Sequence, residues 1–200
     1  MCWCLSTTFL YSKSLEEHKQ HLSTVLDILR DHKLLIKPSK CSFARQKLEY
    51  LGHIIGSEGV STDPSKIAAV QQWITPTNVK QLRGFLGLSG YYRKFIQGYG
   101  VLSRPLSDLL KKNVPFIWTP THQAAFDSLK QALISAPVLQ MPDFSRAFTI
   151  EIDASDVGIG AVLTQQGHPI AYLSKALGPR ARAMSTYEKE CMAILLAVDK

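Results

Sequence analysis

Phe148-Thr149-Ile150-Glu151-Ile152-Asp153 alternates apolar and polar residues at every step, the period-two pattern of a strand with one buried face. Gly158-Ile159-Gly160-Ala161-Val162-Leu163-Thr164 follows as a second strand punctuated by glycine, and a helix carrying Glu190 comes after it. Strand, strand and helix in this order open a mixed α/β domain. An acid at a strand end and another on a helix packed against it is how carboxylates gather around divalent ions in metal-dependent nucleases. Asp153 and Glu190 are therefore the candidate catalytic and metal-ligating pair. Taken alone, Asp153 equally suits a strand-end turn and Glu190 an exposed helix acid, while Asp156 fits a turn or cap.

Working back from Phe148, Pro137 and Pro142 mark residues 137–146 as a linker. Before it the chain reads as helical. Thr119-Pro120 starts a helix to about Ser135, on which His122, Phe126, Leu129 and Leu133 form one stripe. A helix is predicted near Leu102–Lys111 and a longer one from Val79 to about Ile96, with Tyr91 and Tyr92 assigned to the core. Asp63-Pro64 starts another that should run to about Trp73. Lys47–Ile55 fits a hairpin closed by Gly56 and Gly59. Leu15, Leu22, Val25, Leu26 and Leu29 give residues 14–34 an amphipathic helix with Ser14 as N-cap.

Composition narrows the class. At 200 residues and 46% hydrophobic the chain can build one or two cores, and 20% charged residues argue against wholesale disorder. No apolar run approaches the roughly 20 residues of a membrane-spanning helix, and the N-terminus lacks a secretory signal pattern. A soluble intracellular protein without membrane partners is expected. The cysteines, at positions 2, 4, 41 and 191, match neither a zinc site nor a disulfide framework. His18 and His21 read as a solvated helix face rather than metal ligands. Residues 1–100 hold 13 Lys/Arg against 7 Asp/Glu, whereas residues 101–200 hold 10 against 9. A basic first half points to a polyanionic partner, with nucleic-acid phosphate the usual candidate.

Seven stretches occur in one order: Tyr50-Leu51-Gly52-His53, Leu82-Arg83-Gly84-Phe85-Leu86-Gly87-Leu88, Tyr91-Tyr92-Arg93-Lys94-Phe95-Ile96, Ala125-Phe126-Asp127-Ser128-Leu129-Lys130, Asp153-Ala154-Ser155, His168-Pro169-Ile170-Ala171-Tyr172 and Ser185-Thr186-Tyr187-Glu188-Lys189-Glu190. Together they resemble the reverse transcriptase–ribonuclease H portion of gypsy-type LTR retrotransposon Pol polyproteins, over about residues 10–200. The resemblance implies an α+β chain. Residues 1–62 would be the end of a reverse transcriptase palm with a helix and hairpin, and 63–136 a helical thumb and connection. Residues 147–200 would supply the opening strands and first helix of a ribonuclease H-like α/β domain.

The resemblance also assigns roles. The Leu82–Ile96 helix would lie along the minor groove of an RNA–DNA hybrid or DNA duplex. Gly84, Gly87 and Gly90 would let backbone approach sugars and phosphates, and Lys80, Arg83, Arg93 and Lys94 would neutralise phosphates. Without the resemblance, the same glycines suit close helix–helix packing and the same cations a solvated face. Asp153 and Glu190 match the first two ribonuclease H carboxylates, which with Mg2+ would cleave the RNA strand. The family's third aspartate, on a later strand, has no counterpart before Lys200, so an incomplete magnesium site is expected. The positions matching the polymerase Tyr-x-Asp-Asp hold Cys4, Leu5, Ser6 and Thr7, whose side chains cannot supply the anionic charge that polymerisation requires. The expectation is a catalytically incomplete piece of an RNA-directed DNA polymerase and ribonuclease H, partnered by hybrid duplex and the rest of its polyprotein. A non-catalytic binding remnant or a pseudogene product is the alternative.

Overall fold

The computed structural model describes residues 2–5, 8–12 and 14–200, which form two compact units, residues 1–63 and 64–200. In the first unit, strands β1 (Cys2–Leu5) and β2 (Thr8–Tyr11) form an antiparallel pair with Leu5 opposite Thr8. Helix α1 (Leu15–Asp31) follows. Ser14 caps it, accepting from the Glu17 N–H at 3.2 Å, and Glu16 and Glu17 sit at the positive end of the dipole. Leu22, Val25, Leu26 and Leu29 are half-buried along one face, while Leu15 at the helix start is exposed.

Strand β3 (Cys41–Arg45) then pairs with the free edge of β1. Strands β4 (Lys47–Tyr50), β5 (His53–Gly56) and β6 (Gly59–Thr62) form an antiparallel meander, where the sequence suggests a single hairpin. At its first turn Leu51 and Gly52 both take left-handed φ, 49° and 73°, the two-residue geometry whose twist matches the flanking strands. His18 corrects the solvated-face reading. It is buried, and its Nδ1 lies 3.1 Å from the Ser12 hydroxyl, because that hydroxyl sits over the first turn of α1 and meets His21 Nδ1 as well. Burial holds the His18 pKa below its usual value.

The second unit opens with α2 (Pro64–Gln71) and α3 (Val79–Tyr91). Asn78 caps α3, accepting from the Gln81 N–H at 3.0 Å. The inward stripe is Leu82, Phe85, Ser89 and Tyr92. The helix ends earlier than Ile96: the chain tightens into a 3-10 turn at Arg93–Phe95, which seats the consecutive Phe95 and Ile96 in the interior. Where one helix is predicted near Leu102–Lys111, two short ones stand, α4 (Tyr99–Leu102) and α5 (Arg104–Asp108). Pro105 in the first turn of α5 separates them, since its ring disfavours a continuous helix.

Helix α6 (Pro120–Ile134) starts in a capping box in which His122 Nδ1 accepts from the Thr119 N–H at 3.1 Å. Its Phe126 and Leu129 close a core with Leu82, Phe85, Leu106 and Leu109. Phe85 and Phe126 meet at 4.5 Å between ring centroids. At about 25 cal/mol per Å² of buried apolar area, this aromatic–aliphatic cluster is the main stabilising element of the helical part.

Three antiparallel strands follow: β7 (Thr149–Ala154), β8 (Gly158–Gln165) and β9 (His168–Ala176), with β8 central. Helices α7 (Pro179–Arg182) and α8 (Thr186–Val198) complete the unit. Ile152 and Ala154 of β7 join Ile159, Leu177 and Ala193 in a second core beneath α8. The other face of the sheet meets α4, and two glycines permit it. A Cβ on Gly100 would stand 2.9 Å from the Ala176 nitrogen and 3.0 Å from Lys175 Cα, and one on Gly158 would overlap Val101 Cγ2. The Gly100 N–H donates to Ser174 Oγ at 2.6 Å, and both Arg104 and Arg182 donate to the Leu177 carbonyl.

Residues 137–146 carry no helix but are fastened to the sheet. The Gln140 N–H donates to Pro169 O at 2.8 Å. Buried Gln165 accepts from the Asp143 N–H at 2.9 Å and donates to Asp143 O at 2.8 Å and Arg146 O at 3.2 Å. Among the described residues, no helix is long and apolar enough to cross a membrane.

Candidate nuclease carboxylates and nucleic-acid interface

Asp153 lies near the end of β7, opposite Gly160. The alternation that buries Ile152 and Ala154 under α8 leaves Asp153 and Glu151 exposed. Both line a shallow cavity of about 200 Å³ with Ser155, Gln97, Gly98 and Val101. The turn after Asp153 is self-fastened: the Ser155 N–H donates to Gly158 O at 2.8 Å, and the Gly158 N–H donates to Ser155 Oγ at 3.2 Å.

Glu190 sits one turn into α8. Ser185 and Glu188 cap that helix reciprocally: the Ser185 N–H donates to Glu188 Oε2 at 2.8 Å, and the Glu188 N–H donates to Ser185 Oγ at 3.3 Å. The backbone N–H of Ser185, and then its hydroxyl, hold the Glu188 carboxyl below its ordinary pKa. The α8 face turned to the sheet carries Lys189, Met192, Ala193 and Leu196, so Glu190 falls on the exposed flank rather than in an apolar setting. Among the described residues, no group of three or more His, Cys, Asp or Glu side chains is placed to hold a metal ion. Asp153 and Glu190 therefore lack the further ligand that a closed oxygen-ligand site needs.

The α3 face turned away from the core carries Lys80, Arg83, Gly84, Gly87 and Tyr91, all exposed, and Arg93 and Lys94 extend it past the helix end. Tyr91 is the correction here: it is 50% exposed because it lies one turn beyond Gly87 on the outer face, while Tyr92 is buried as expected. The two rings meet edge-on at 5.1 Å. None of Lys80, Arg83, Arg93 and Lys94 forms an ion pair with a carboxylate among the described residues.

The three glycines of this stretch differ. A Cβ on Gly90 would stand 3.3 Å from the Tyr99 hydroxyl, which is tight internal packing. A Cβ on Gly84 would make only an ordinary 3.6 Å contact with Trp73, and one on Gly87 would meet nothing within 4 Å. Each glycine in a helix interior costs about 1 kcal/mol against alanine, and at these two positions no internal contact offsets it.

Comparison with known proteins sets these features in a lineage. A family model described as reverse transcriptase (RNA-dependent DNA polymerase) matches residues 8–55, and one for an RNase H-like domain found in reverse transcriptase matches residues 118–200. The Pol polyprotein from transposon 297 of Drosophila melanogaster is 38% identical over 194 residues, which is 96% of this chain and 18% of that protein. The transposon Tf2-7 polyprotein of Schizosaccharomyces pombe is 39% identical over 196 residues, 96% of this chain and 15% of that protein. The chain belongs to the reverse transcriptase–ribonuclease H region of transposon Pol polyproteins. It spans less than a fifth of the length of these relatives.

Solved structures agree on the α+β fold. A foamy viral protease–reverse transcriptase in complex with double-stranded DNA superposes with a TM-score of 0.84 at 23% identity, covering 96% of this chain and 35% of that one. The same viral enzyme in complex with an RNA/DNA hybrid gives 0.84 at 22% identity, covering 95% of this chain and 26% of that one. Of the positions set against the polymerase Tyr-x-Asp-Asp, Cys4 and Leu5 fall on β1, while Ser6 and Thr7, the two set against its aspartates, lie outside the described residues.

Sequence reasoning missed Lys189. Its side chain is 6% exposed, and its ammonium reaches Asp156 Oδ1 at 2.8 Å, pinning the β7–β8 turn to α8. The hydrogen bond from Lys189, then its charge, holds the Asp156 carboxyl below its usual pKa. The signal was available: Lys189 falls on the helical stripe of Met192, Ala193 and Leu196, where a cation must send its stem inward and its head to a partner.

Proposed function

We propose that this segment holds nucleic-acid duplex, RNA–DNA hybrid or DNA, against the outer face of α3. One observation carries the reading: Gly84 and Gly87 leave a smooth, side-chain-free strip with no internal reason for glycine, flanked by Lys80, Arg83, Arg93 and Lys94, cations with no ion pair among the described residues. Removing Cβ at successive turns lets backbone reach a minor groove, and the cations release counterions from phosphates. The foamy viral enzymes of like fold were solved on double-stranded DNA and on RNA/DNA hybrid, which supports the same partner class here.

In the parent polyprotein the activities would be RNA-directed DNA synthesis and cleavage of the hybrid's RNA strand. Residues 1–62 would contribute the palm end, 63–136 the thumb and connection, and 147–200 the opening of the ribonuclease H domain. Asp153 and Glu190 would be two of its Mg2+ ligands, the ion stabilising charge on the attacked phosphate. The residues described here do not complete that ligand set, so no cleavage step is assigned to this chain by itself, and the missing carboxylates would come from elsewhere in the polyprotein.

The test is fluorescence anisotropy with a labelled RNA–DNA hybrid. Binding should fall steeply with salt, remain indifferent to magnesium, and weaken about fivefold or more, at least about 1 kcal/mol, in the Gly84→Ala/Gly87→Ala variant. Unchanged affinity in that variant would overturn the α3 reading. Hydrolysis of the RNA strand by the purified chain, abolished in Asp153→Asn, would overturn catalytic incompleteness.

A further inference from the structure

The stretch ahead of α8 carries a pattern that neither the carboxylates nor the α3 face uses. Arg180-Ala181-Arg182-Ala183-Met184-Ser185 sets one arginine three residues, and another five residues, before a serine. Of the serines and threonines of the sequence, Ser185 alone has both; Ser107 and Thr149 have the nearer arginine only, Arg104 and Arg146. Those two arginines are paired with Asp108 and Asp143. Arg180 and Arg182 form no ion pair with an acid among the described residues, and both are exposed, as is Ser185.

The backbone suits an incoming enzyme. Ser185 is extended, with φ −64° and ψ 162°. Helix α7 before it is a single turn, held by the Arg182 N–H to Gly178 O at 3.0 Å, and the Met184 N–H donates to Ala181 O at 3.3 Å. Arg182 Nε donates to Leu177 O at 3.1 Å. One exposed turn with so few bonds opens at low cost, and once open it presents both guanidinium groups beside the serine.

A groove lined by carboxylates selects a peptide by charge-assisted pairing with arginines at fixed offsets. We propose that Ser185 is a phosphorylation site, modified by a serine/threonine kinase whose acidic peptide groove pairs with Arg180 and Arg182. Ser185 Oγ attacks the γ-phosphorus of a magnesium-bound nucleoside triphosphate. The Oγ–P bond forms, the bond from that phosphorus to the β,γ-bridging oxygen breaks, the hydroxyl proton passes to a carboxylate of the kinase, and nucleoside diphosphate leaves.

The consequence falls on α8. In the unmodified chain Ser185 Oγ donates to Glu188 Oε2 at 2.8 Å and accepts from the Glu188 N–H at 3.3 Å. The esterified oxygen has no proton to donate, and the phosphate sets about two negative charges against that carboxylate. Phosphate oxygens take over the N–H groups at the positive end of α8, and Glu188 leaves the cap. The modification thereby resets the start of the helix that bears Glu190.

Incubation of the purified chain with MgATP and an arginine-directed serine/threonine kinase should add one phosphate, located at Ser185 by tandem mass spectrometry. Arg180→Gln/Arg182→Gln should slow transfer at least about tenfold, the loss of two charge-assisted contacts. Arg180→Gln alone, at an exposed side chain, should slow it severalfold. Ser185→Asn keeps an N-capping oxygen without an acceptor hydroxyl and should take no phosphate at that position. Circular dichroism melting of each variant confirms an intact fold. Transfer to Ser107, Thr149 or Thr186 with Ser185 unmodified overturns the proposal, as does a rate indifferent to both arginines or no transfer to the folded chain. Glu188→Gln then reads the consequence in urea unfolding. Its midpoint should rise in the phosphorylated chain, where a like charge is removed, and hold or fall in the unmodified one, where the cap loses a charged acceptor. An equal shift in both forms overturns the displaced cap.

Discussion

On α3 a Cβ at Gly87 would meet nothing and one at Gly84 only an ordinary 3.6 Å contact with Trp73, whereas Gly100 and Gly158 stand where any Cβ would collide with the neighbouring layer. The first pair is costly to the chain that carries it; the second is required by it. Glycine in the junction lets α4 approach β9 closely enough for the Gly100 N–H to reach Ser174, so its reason lies inside the molecule. Glycine on α3 has no such internal reason, and the proposed duplex contact would supply one from outside the molecule.

That contrast can be broken most sharply at Gly100. Gly100→Ala should destabilise the second unit by about 1–3 kcal/mol, because the clash is with backbone of β9 that cannot rotate away; urea unfolding followed by circular dichroism measures it, and an unchanged midpoint would remove the sterics from the comparison. Gly158→Ala should be somewhat milder, since its first obstacle is the Val101 side chain. The Gly158→Ala/Val101→Ala pair should then recover stability relative to additivity, with a coupling of about 1 kcal/mol in a double-mutant cycle. On α3 the sign reverses. Gly87→Ala should raise stability by about 0.5–1 kcal/mol while weakening hybrid binding, two readouts moving in opposite senses. A variant that gains stability and binds as before would show that the open strip serves no partner.

The smallest effect concerns the first unit. Burial lowers the His18 pKa from 6.5, so the unfolded chain binds the proton more readily than the folded one. Stability contributed by neutral His18 is therefore full above about 6.5 and declines as pH falls through the window below it. Urea midpoints at pH 7.5 and 5.5 should differ in that direction, and His18→Phe should flatten the difference.

Much of this was readable in the residues. Period-two alternation placed β7 within two residues, the glycine-punctuated stretch gave β8, and Ser14, Asp63-Pro64 and Thr119-Pro120 marked three helix starts. The cations of α3 and the turn after it were singled out by the family resemblance; their exposure follows from the inner stripe of Leu82, Phe85 and Ser89 that the structure shows. What was not legible depends on distant partners. His18 looks like a surface histidine until the Ser12 hydroxyl covers it. Lys189 looks like a solvated cation until the turn at Asp156 folds over α8. Tyr91 and Tyr92 are adjacent and alike, and only the end of α3 decides which turns inward. Glycine spacing along α3 could suggest either packing or recognition; only the atoms around each absent Cβ show that packing asks for glycine at Gly90 and not at Gly87.

The grip of Gln165 on Asp143 and Arg146 has a practical corollary. Two prolines and the absence of helix mark residues 137–146 as a natural place to cut, yet the amide there replaces the hydrogen bonds a strand would have made and anchors the stretch to β8. A protease should cleave it slowly. Anyone dividing the molecule there would strip buried Leu139 and the Gln165 amide of their cover, and would do better to excise residues 64–200 whole.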